Sequence, residues 1–272
     1  MRMKPSRIAL QIIVILLACI IIIPFLMICI NSLKDVREAA LFKLSLPSKW
    51  MWNNYKAVAS QAHVLRGFRN SLILCFFTVL LDALIASMAA FAIQRRKGRS
   101  VRGFYYLFIL GLIVPVSIIP TIKLMMDLHI HNTYLGIILY YTATVMPFSV
   151  FLLTGFMKSV PKELDEAALV EGCSFFRLFF QIIVPLITPA LITVTIVVTS
   201  AVWNDFFGPF YLISDSRKWT IILKIFSFMS QYQTHWGLVF AFMVLVITPI
   251  LIIYFLLQKY IIAGLTAGSI KG

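Results

Sequence analysis

Long runs of apolar residues, separated by short polar segments, dominate the chain and predict its secondary structure. Six runs are each long enough to cross about 30 Å of hydrocarbon as a helix that rises ~1.5 Å per residue. They cover residues 8–30, 70–93, 104–126, 134–157, 183–204 and 238–258. No strand pattern competes with them, and a span must satisfy its own backbone hydrogen bonds inside a bilayer. The sequence therefore predicts an all-α membrane protein with six transmembrane helices.

Composition supports this prediction and excludes several other classes of protein. Of the 272 residues, 61% are hydrophobic and 12% are charged, whereas soluble domains carry about 25% charged residues. An ordinary soluble enzyme, a disordered chain and a fibrous protein are therefore excluded. The formal net charge of +14 could indicate nucleic-acid binding, but the positive residues flank apolar runs. We interpret it as loop charge near anionic lipid headgroups and expect no nucleic-acid partner.

The positive residues also predict the orientation of the spans. The tightest cluster, five Lys and Arg residues within 95–102, lies in a short loop between two predicted spans, where charge has most influence on topology. This cluster favours a cytoplasmic loop and therefore places both termini inside the cell. The first run follows Arg2, Lys4 and Arg7 and lacks a small-residue cleavage site, so we expect a retained helix rather than a signal peptide.

One acidic residue, Asp82, falls near the middle of the second predicted span, where insertion of a charge costs about 2.5–3.5 kcal/mol. Small residues four apart, Ala83 with Ser87 and Ala86 with Ala90, predict a close-packing helix face beside it. We therefore expect Asp82 to face the helix bundle. Two roles stay open, an acid in a translocation or proton path and a hydrogen-bond partner of a neighbouring helix, and the second is favoured.

A polar loop at residues 158–182, between the fourth and fifth predicted spans, has the most distinctive pattern. Pro161 is placed for the first turn of a helix, three acidic residues follow where the helix dipole favours negative charge, and Gly172 is placed for a left-handed stop. The pattern predicts a helix of about ten residues, too short to be stable alone in water. It could dock on another protein or lie on the bilayer. Its acidic, alanine-lined composition favours docking, because interfacial helices are usually basic and bulky.

This loop resembles the EAA loop of inner-membrane permeases of binding-protein-dependent ABC importers. The matching residues, with the family's spacing, are Glu166-Ala167-Ala168, Gly172, Ile182 and Val184-Pro185. Three positions depart conservatively from the family pattern, with Val184 in place of leucine, Glu171 in place of aspartate and Cys173 in place of alanine. We expect these departures to adjust packing rather than to remove the docking function.

Further motifs resemble the carbohydrate-uptake permeases, which are similar to the maltose system. They are Asn31-Ser32-Leu33-Lys34, Asn70-Ser71-Leu72, Ala89-Ala90-Phe91-Ala92, Asn132-Thr133, Pro161-Lys162-Glu163-Leu164 and Trp203-Asn204-Asp205-Phe206. The segment from Gly264 to Gly272 resembles the tail of the MalG-type subunit. The resemblance implies one permease domain over residues 1–272 of a bacterial plasma-membrane protein. It also implies six spans, both termini in the cytoplasm and a cytoplasmic coupling helix between the fourth and fifth spans.

The resemblance implies that the work of import is divided among several subunits. This chain and a second, MalF-like permease would form the membrane path, two ATPase subunits would bind below, and an external binding protein would deliver the sugar. ATP and Mg²⁺ would belong to the ATPase subunits. This chain is therefore expected to bind no cofactor or metal and to be a transport subunit rather than an enzyme.

The resemblance also implies which residues carry these roles. The residues that would couple to the ATPase are Glu166, Ala167, Ala168, Glu171, Gly172 and Pro185. The tail residues that would contact the ATPase subunits are Gly264, Leu265, Thr266, Ala267 and Gly268. An external loop near residues 207–236 is similar to the one that reaches into the binding protein.

A sugar path needs hydrogen-bonding groups and aromatic faces. The candidates of these types are Tyr140, Tyr141, Thr142, Phe148, Trp203 and Asn204. For each of them taken alone, a structural role in the core or the lipid belt is preferred.

Other functions stay open beside sugar import. The same ABC mechanism could carry glycerol phosphate or an osmolyte. An autonomous secondary transporter would show inverted repeats and paired charges within the membrane, and the sequence has neither. A membrane enzyme would need a nucleophile with a base or a metal-ligand set, and the four histidines have no such neighbours.

Overall fold

The computed structural model describes the backbone of residues 5–229 and 234–267, and the regular structure of these residues is helical. In chain order the helices are α1 (Pro5–Asn31), α2 (Val36–Ala39), α3 (Asn53–Ala59), α4 (Ala62–Arg95), α5 (Arg99–Ile113), α6 (Ile118–Asp127), α7 (Tyr134–Met157), α8 (Glu163–Val170), α9 (Phe175–Leu186), α10 (Thr188–Asn204), α11 (Phe207–Leu212) and α12 (Trp236–Ala267). Helix α9 contains a π-helical stretch, Leu178–Ile183, and 3₁₀ helices occupy Ser216–Lys218 and Ile222–Phe228. The predicted all-α class is confirmed for this part of the chain.

Among the described residues, four helices are long and apolar enough to cross a membrane. They are Leu10–Asn31, His63–Arg95, Tyr134–Met157 and Trp236–Leu256, and they coincide with the first, second, fourth and sixth predicted runs. The pair α9 and α10 adds a fifth candidate, although its two helices are bent by 76°.

The third predicted span, residues 104–126, is not one continuous helix. It is divided between α5 and α6, and Val114 and Ser117 in the connection are both extended. Pro115 explains the break, because proline has no N–H group to donate and forces the residue before it out of the helical region. With 15 and 10 residues, neither helix alone is long enough for a hydrocarbon core of about 30 Å.

The fifth predicted span, residues 183–204, also departs from a straight helix. The chain bends at Ile187, whose φ is −94° and ψ is 5°. Pro189 lies in the first turn of α10, so it cannot donate the hydrogen bond to the carbonyl of Pro185 that a straight helix would need. The straight part of the fifth run therefore begins at Thr188.

The described residues form two compact units, one from those within 1–67 and 223–249 and the other from those within 68–222 and 250–272. In the first unit, none of the most apolar part of α1 is buried. A helix that is apolar on every side and uncovered by protein is suited to lipid contact.

The first unit contains a buried polar cluster just after α1. The ammonium group of Lys34, which is 1% exposed, donates to Oδ1 of Asn31 at 3.0 Å and to the carbonyl oxygen of Lys43 at 2.6 Å. Burial lowers the pKa of Lys34. Asn54 donates to the carbonyl oxygen of Lys34 at 3.0 Å, and a Cβ atom at Gly237 would lie 2.8 Å from the same oxygen. This cluster gives the Asn31–Lys34 motif a structural role as an anchor of the loop.

In the second unit, α5 and α10 both pack against α7, and Asp82 on α4 contacts α7 as well. Asp82 is fully buried, and the hydroxyl of Ser149 donates to its Oδ2 at 2.6 Å. Ala86 and Ala90 on the same helix are also fully buried. The predicted orientation of Asp82 toward the bundle is confirmed, and the Ser149 hydrogen bond fits the structural role.

Candidate functional site

The loop between α7 and α9 forms the short helix α8, and its boundaries correct the sequence-based prediction. The helix has eight residues rather than about ten, and its N-cap is Lys162. Pro161 therefore precedes the helix instead of lying in its first turn. The carbonyl oxygen of Lys162 accepts the first helical hydrogen bonds, from the amides of Asp165 at 3.0 Å and Glu166 at 3.2 Å.

The helix ends at the predicted left-handed glycine. Gly172 has a φ of +75°, its amide donates to the carbonyl of Leu169 at 3.0 Å, and the amide of Cys173 donates to the carbonyl of Ala168 at 2.9 Å. These two hydrogen bonds form a Schellman motif. No atom lies within 4 Å of the position that a Cβ would take at Gly172. The glycine is therefore required by the backbone conformation and not by lack of space.

An ion pair between Arg95 and Asp165, which was not predicted from the sequence, connects α8 to the end of α4. Nε of Arg95 lies 2.5 Å from Oδ2 of Asp165, and Nη2 lies 3.2 Å from Oδ1. Arg95 also donates to the carbonyl oxygen of Val160 at 3.2 Å, and the two charged side chains are only 10% and 13% exposed. Such a two-point contact fixes orientation as well as distance.

One signal in the sequence could have identified Asp165 as a residue that needs a positively charged partner. Asp165 lies three residues before Ala168, so both project from one face of α8. Both are also the buried residues of this helix. An acid on the small-residue face of a short helix requires a cation close by, because burial of an unpaired charge is costly.

The exposed face of α8 contains two of the six residues implied as coupling residues, Glu166 and Ala167. Its members share helical spacing and are all exposed: Glu163, Glu166, Ala167 and Val170. Glu171 and Gly172, just after the helix, are exposed as well, whereas Ala168 is 5% exposed and faces inward. Val170, an apolar side chain, is 88% exposed. The helix therefore presents a face that mixes acidic and apolar groups and has no cover within the described residues.

Pro185 and the tail residues belong to later helices and not to α8. Pro185 is in the last turn of α9, beside the bend, where it shapes the helix that leaves the loop. The tail residues Gly264, Leu265, Thr266 and Ala267 continue α12 as helical backbone. Gly268 lies outside the described residues.

An open cleft of about 360 Å³ in the second unit contains half of the predicted sugar-path residues. It is lined by Tyr140, Tyr141, Thr144, Val145, Ala201, Asn204 and Asp205. Thr144 and Asp205 were missed as lining residues, although Asp205 belongs to the quoted Trp-Asn-Asp motif. Asp205 also caps α11, because its carboxylate accepts from the amides of Phe207 at 3.1 Å and Gly208 at 3.0 Å.

The other three candidates for the sugar path are not part of the cleft lining. Trp203 is 2% exposed, and its ring packs edge-on against Phe68 at 5.5 Å. Thr142 is buried and donates to the carbonyl of Ile138 at 2.8 Å. Phe148 is half-buried. Trp203 and Thr142 are therefore core residues, although their sequence neighbours Asn204 and Tyr141 line the cleft. Adjacent residues on a helix project in different directions, since positions on one face recur only every three to four residues.

Two motif asparagines hold the first part of the predicted external loop. Asn132 accepts from the amide of Asp215 at 3.1 Å, while Asn70 donates to the carbonyls of Arg217 and Trp219, both at 2.9 Å. The hydrogen bond from the Arg217 side chain holds the pKa of Asp215 at about 2. The later part of the loop includes residues 230–233, which lie outside the described residues.

Comparison with known proteins gives close relatives over nearly the whole chain. A probable permease of a transport system for starch degradation products from Thermoanaerobacterium thermosulfurigenes is 36% identical over 259 residues, which cover 94% of each chain. A permease of a diacetylchitobiose uptake system from Streptomyces coelicolor is 31% identical and covers 94% of this chain and 86% of its own.

The fold is also similar to that of a solved transporter chain. A chain of a bacterial ABC transporter that imports the acidic polysaccharide alginate matches with a TM-score of 0.83 at 20% identity, over 96% of this chain and 99% of that one. Residues 83–266 match the family described as the inner membrane component of binding-protein-dependent transport systems. The chain therefore belongs to this family of membrane permeases, which are transport components rather than enzymes.

Proposed function

We propose that the chain is one of two permease subunits of an ABC importer for a sugar or oligosaccharide. A second, MalF-like permease completes the membrane path, an external binding protein delivers the cargo, and two ATPase subunits bind ATP and Mg²⁺. In this proposal the membrane is crossed six times, with α5 and α6 together as the third span. Both termini and the loops at 95–102 and 158–182 are then cytoplasmic.

The exposed face of α8 is the observation that carries this proposal. An eight-residue helix is too short to be stable by itself in water. Arg95 holds its inner face, while Glu166, Ala167 and Val170 are left uncovered on the other. A rigid helix with one fastened and one uncovered face is suited to insertion into a cleft of an ATPase subunit. We propose the tail residues Gly264–Gly268 as a second contact with the ATPase pair.

The cleft lined by Tyr140, Asn204 and Asp205 supports a neutral sugar as cargo. Tyrosine and asparagine side chains offer aromatic faces and hydrogen bonds that match a polyol. The carboxylate of Asp205 in the lining disfavours an anion such as glycerol phosphate, since like charges repel. The names of the starch-product and diacetylchitobiose relatives point to the same class of cargo.

Transport by the reconstituted importer tests this function. We expect proteoliposomes that contain both permeases, the ATPase and the binding protein to accumulate radiolabelled maltooligosaccharide or another neutral oligosaccharide when ATP is enclosed. Glycine betaine and glycerol 3-phosphate serve as comparison cargoes. Uptake driven by an ion gradient without ATP would contradict the mechanism, and ATP-driven uptake of either comparison cargo alone would contradict the sugar assignment.

Substitutions at Gly172 are expected to separate backbone strain from steric effects in coupling. Gly172→Val forces a branched residue into a φ of +75°, which costs about 1–2 kcal/mol. We expect a several-fold loss of substrate-stimulated ATP hydrolysis. Gly172→Asn is the matched control, because asparagine tolerates left-handed φ values and no neighbour obstructs a side chain here. Equal loss in both variants would show that the turn geometry is not the cause.

A further inference from the structure

A groove lined by aromatic side chains lies where the end of α4 meets α9. It has a volume of about 190 Å³, and its lining includes Phe91, Phe175, Phe176, Phe179 and Phe180, which we call the phenylalanine groove. The ring of Phe91 lies 5.5 Å from that of Phe175 and 5.6 Å from that of Phe179. Phe175, Phe176 and Phe180 are 59%, 74% and 47% exposed. So much exposed aromatic surface in one place is suited to contact with lipid or with another apolar partner.

Two arginines lie at one edge of the phenylalanine groove. Arg95 is already bound to Asp165, and its guanidinium lies 5.9 Å from the centre of the Phe91 ring. The side chain of Arg96 is exposed and makes no hydrogen bond or ion pair to any residue that the structure describes, whereas its backbone amide donates to the carbonyl of Ala92 at 3.1 Å. Three more positive residues follow within the 97–102 segment. No acidic side chain is among the groove's lining residues in the described part of the chain.

We propose that the phenylalanine groove binds an anionic phospholipid. An acyl chain lies along the phenylalanine rings, and Arg96 binds the phosphate at the edge. The groove is complementary to such a lipid, because it combines an apolar surface with a positive edge at the end of a membrane-spanning helix. Basic sites between membrane helices at the headgroup level favour anionic lipids in this way. If an apolar helix of the partner permease occupied the groove instead, Arg96 and the following positive residues would be left without a counter-charge.

The lipid site also has a consequence for the coupling helix, and this part rests on the proposed function. Arg95 contributes to the groove and at the same time holds Asp165 on α8. A phosphate bound by Arg96 and an acyl chain packed beside Arg95 restrict the motion of that side chain. Anionic lipid is therefore expected to increase the coupling between cargo binding and ATP hydrolysis, whereas lipid binding itself requires only the membrane location.

Photolabelling of the assembled transporter tests the lipid site. The complex is placed in nanodiscs of phosphatidylcholine that contain a trace of photoactivatable phosphatidylglycerol, and labelled residues are mapped by mass spectrometry. We expect labels within residues 91–96 and 175–180, with displacement by unlabelled phosphatidylglycerol but not by phosphatidylcholine. Labelling is expected to fall about fivefold in Arg96→Gln, because one headgroup cation is lost. The matched control is Arg66→Gln, a change of an exposed arginine on the same helix.

A second variant removes the apolar half of the site without changing the core. Phe176 is 74% exposed, so Phe176→Ala should fold normally and reduce labelling as Arg96→Gln does. Unchanged labelling in both variants, or crosslinking of Phe176→Cys to the partner permease instead of to lipid, would overturn the proposal. If labelling behaves as expected but substrate-stimulated ATP hydrolysis is the same with and without phosphatidylglycerol, lipid binding stands and its link to coupling is refuted.

Discussion

Replacement of Asp165 by arginine is expected to abolish substrate-stimulated ATP hydrolysis in the assembled transporter. The change removes the partner of Arg95 and adds a second positive charge where both side chains are nearly buried. Breaking a buried ion pair from one side costs about 3–5 kcal/mol, and every ~1.4 kcal/mol is a tenfold change in an equilibrium. Helix α8 would lose its attachment to α4, and its movement would no longer be transmitted to that span.

Reversal of the ion pair provides the decisive comparison. Arg95→Asp alone should cause the same loss as Asp165→Arg, and the double variant should recover part of the stimulated activity. Arg69→Gln on the same helix is the control, since Arg69 is exposed. Membrane insertion and assembly with the second permease are measured in parallel by co-purification. Normal stimulation in both single variants would disprove the role of this pair in coupling.

Replacement of Glu166 by lysine is expected to have an effect of similar size through a different cause. Glu166 lies on the exposed face of α8 and makes no ion pair among the described residues, so its replacement breaks no ion pair within this part of the chain. Charge reversal on a docking face costs affinity, because like charges brought together at an interface repel strongly. We therefore expect loss of ATPase binding and of stimulated hydrolysis, with a smaller loss in Glu166→Gln.

The ATPase contact of α8 can be measured directly through Cys173. This half-exposed cysteine follows Gly172, so a photoreactive maleimide on it reports on proteins bound beside the helix. The crosslink to the ATPase should disappear in Glu166→Lys and persist in Asp127→Lys, which reverses an exposed acid elsewhere. A crosslink that survives Glu166→Lys, or one that never forms, would show that the face docks differently.

Both predictions concern the attachments through which a movement of α8 would be transmitted to the membrane helices. The chain connects α8 directly to α7 and α9, and the Arg95–Asp165 pair adds α4. Asp82 on α4 is in turn bound to Ser149 on α7. In the proposed mechanism a force on the exposed face of α8 would be transmitted to α4, α7 and α9, and we expect coupling to fail when any one attachment is removed.

Part of this fold could be predicted because the signals are local. An apolar run of membrane length has few alternatives to a helix, since lipid offers no hydrogen bonds to the backbone. Gly172 was predicted as a helix stop for a similar reason, because a left-handed φ depends on one residue. Pro115 was also a local signal for the break between α5 and α6, but the prediction gave more weight to the length of the apolar run.

The sequence by itself determined the membrane class, the positions of most spans, the end of α8 and the family resemblance. The tertiary structure decided which side chains meet. Arg95 and Asp165 are 70 residues apart, and Asn70 and Trp219 are 149 apart. Helical periodicity says which face a residue shares with its neighbours over a few turns. Which distant face it meets depends on packing of whole helices, and so the ion pair, the cleft and the phenylalanine groove became visible only in three dimensions.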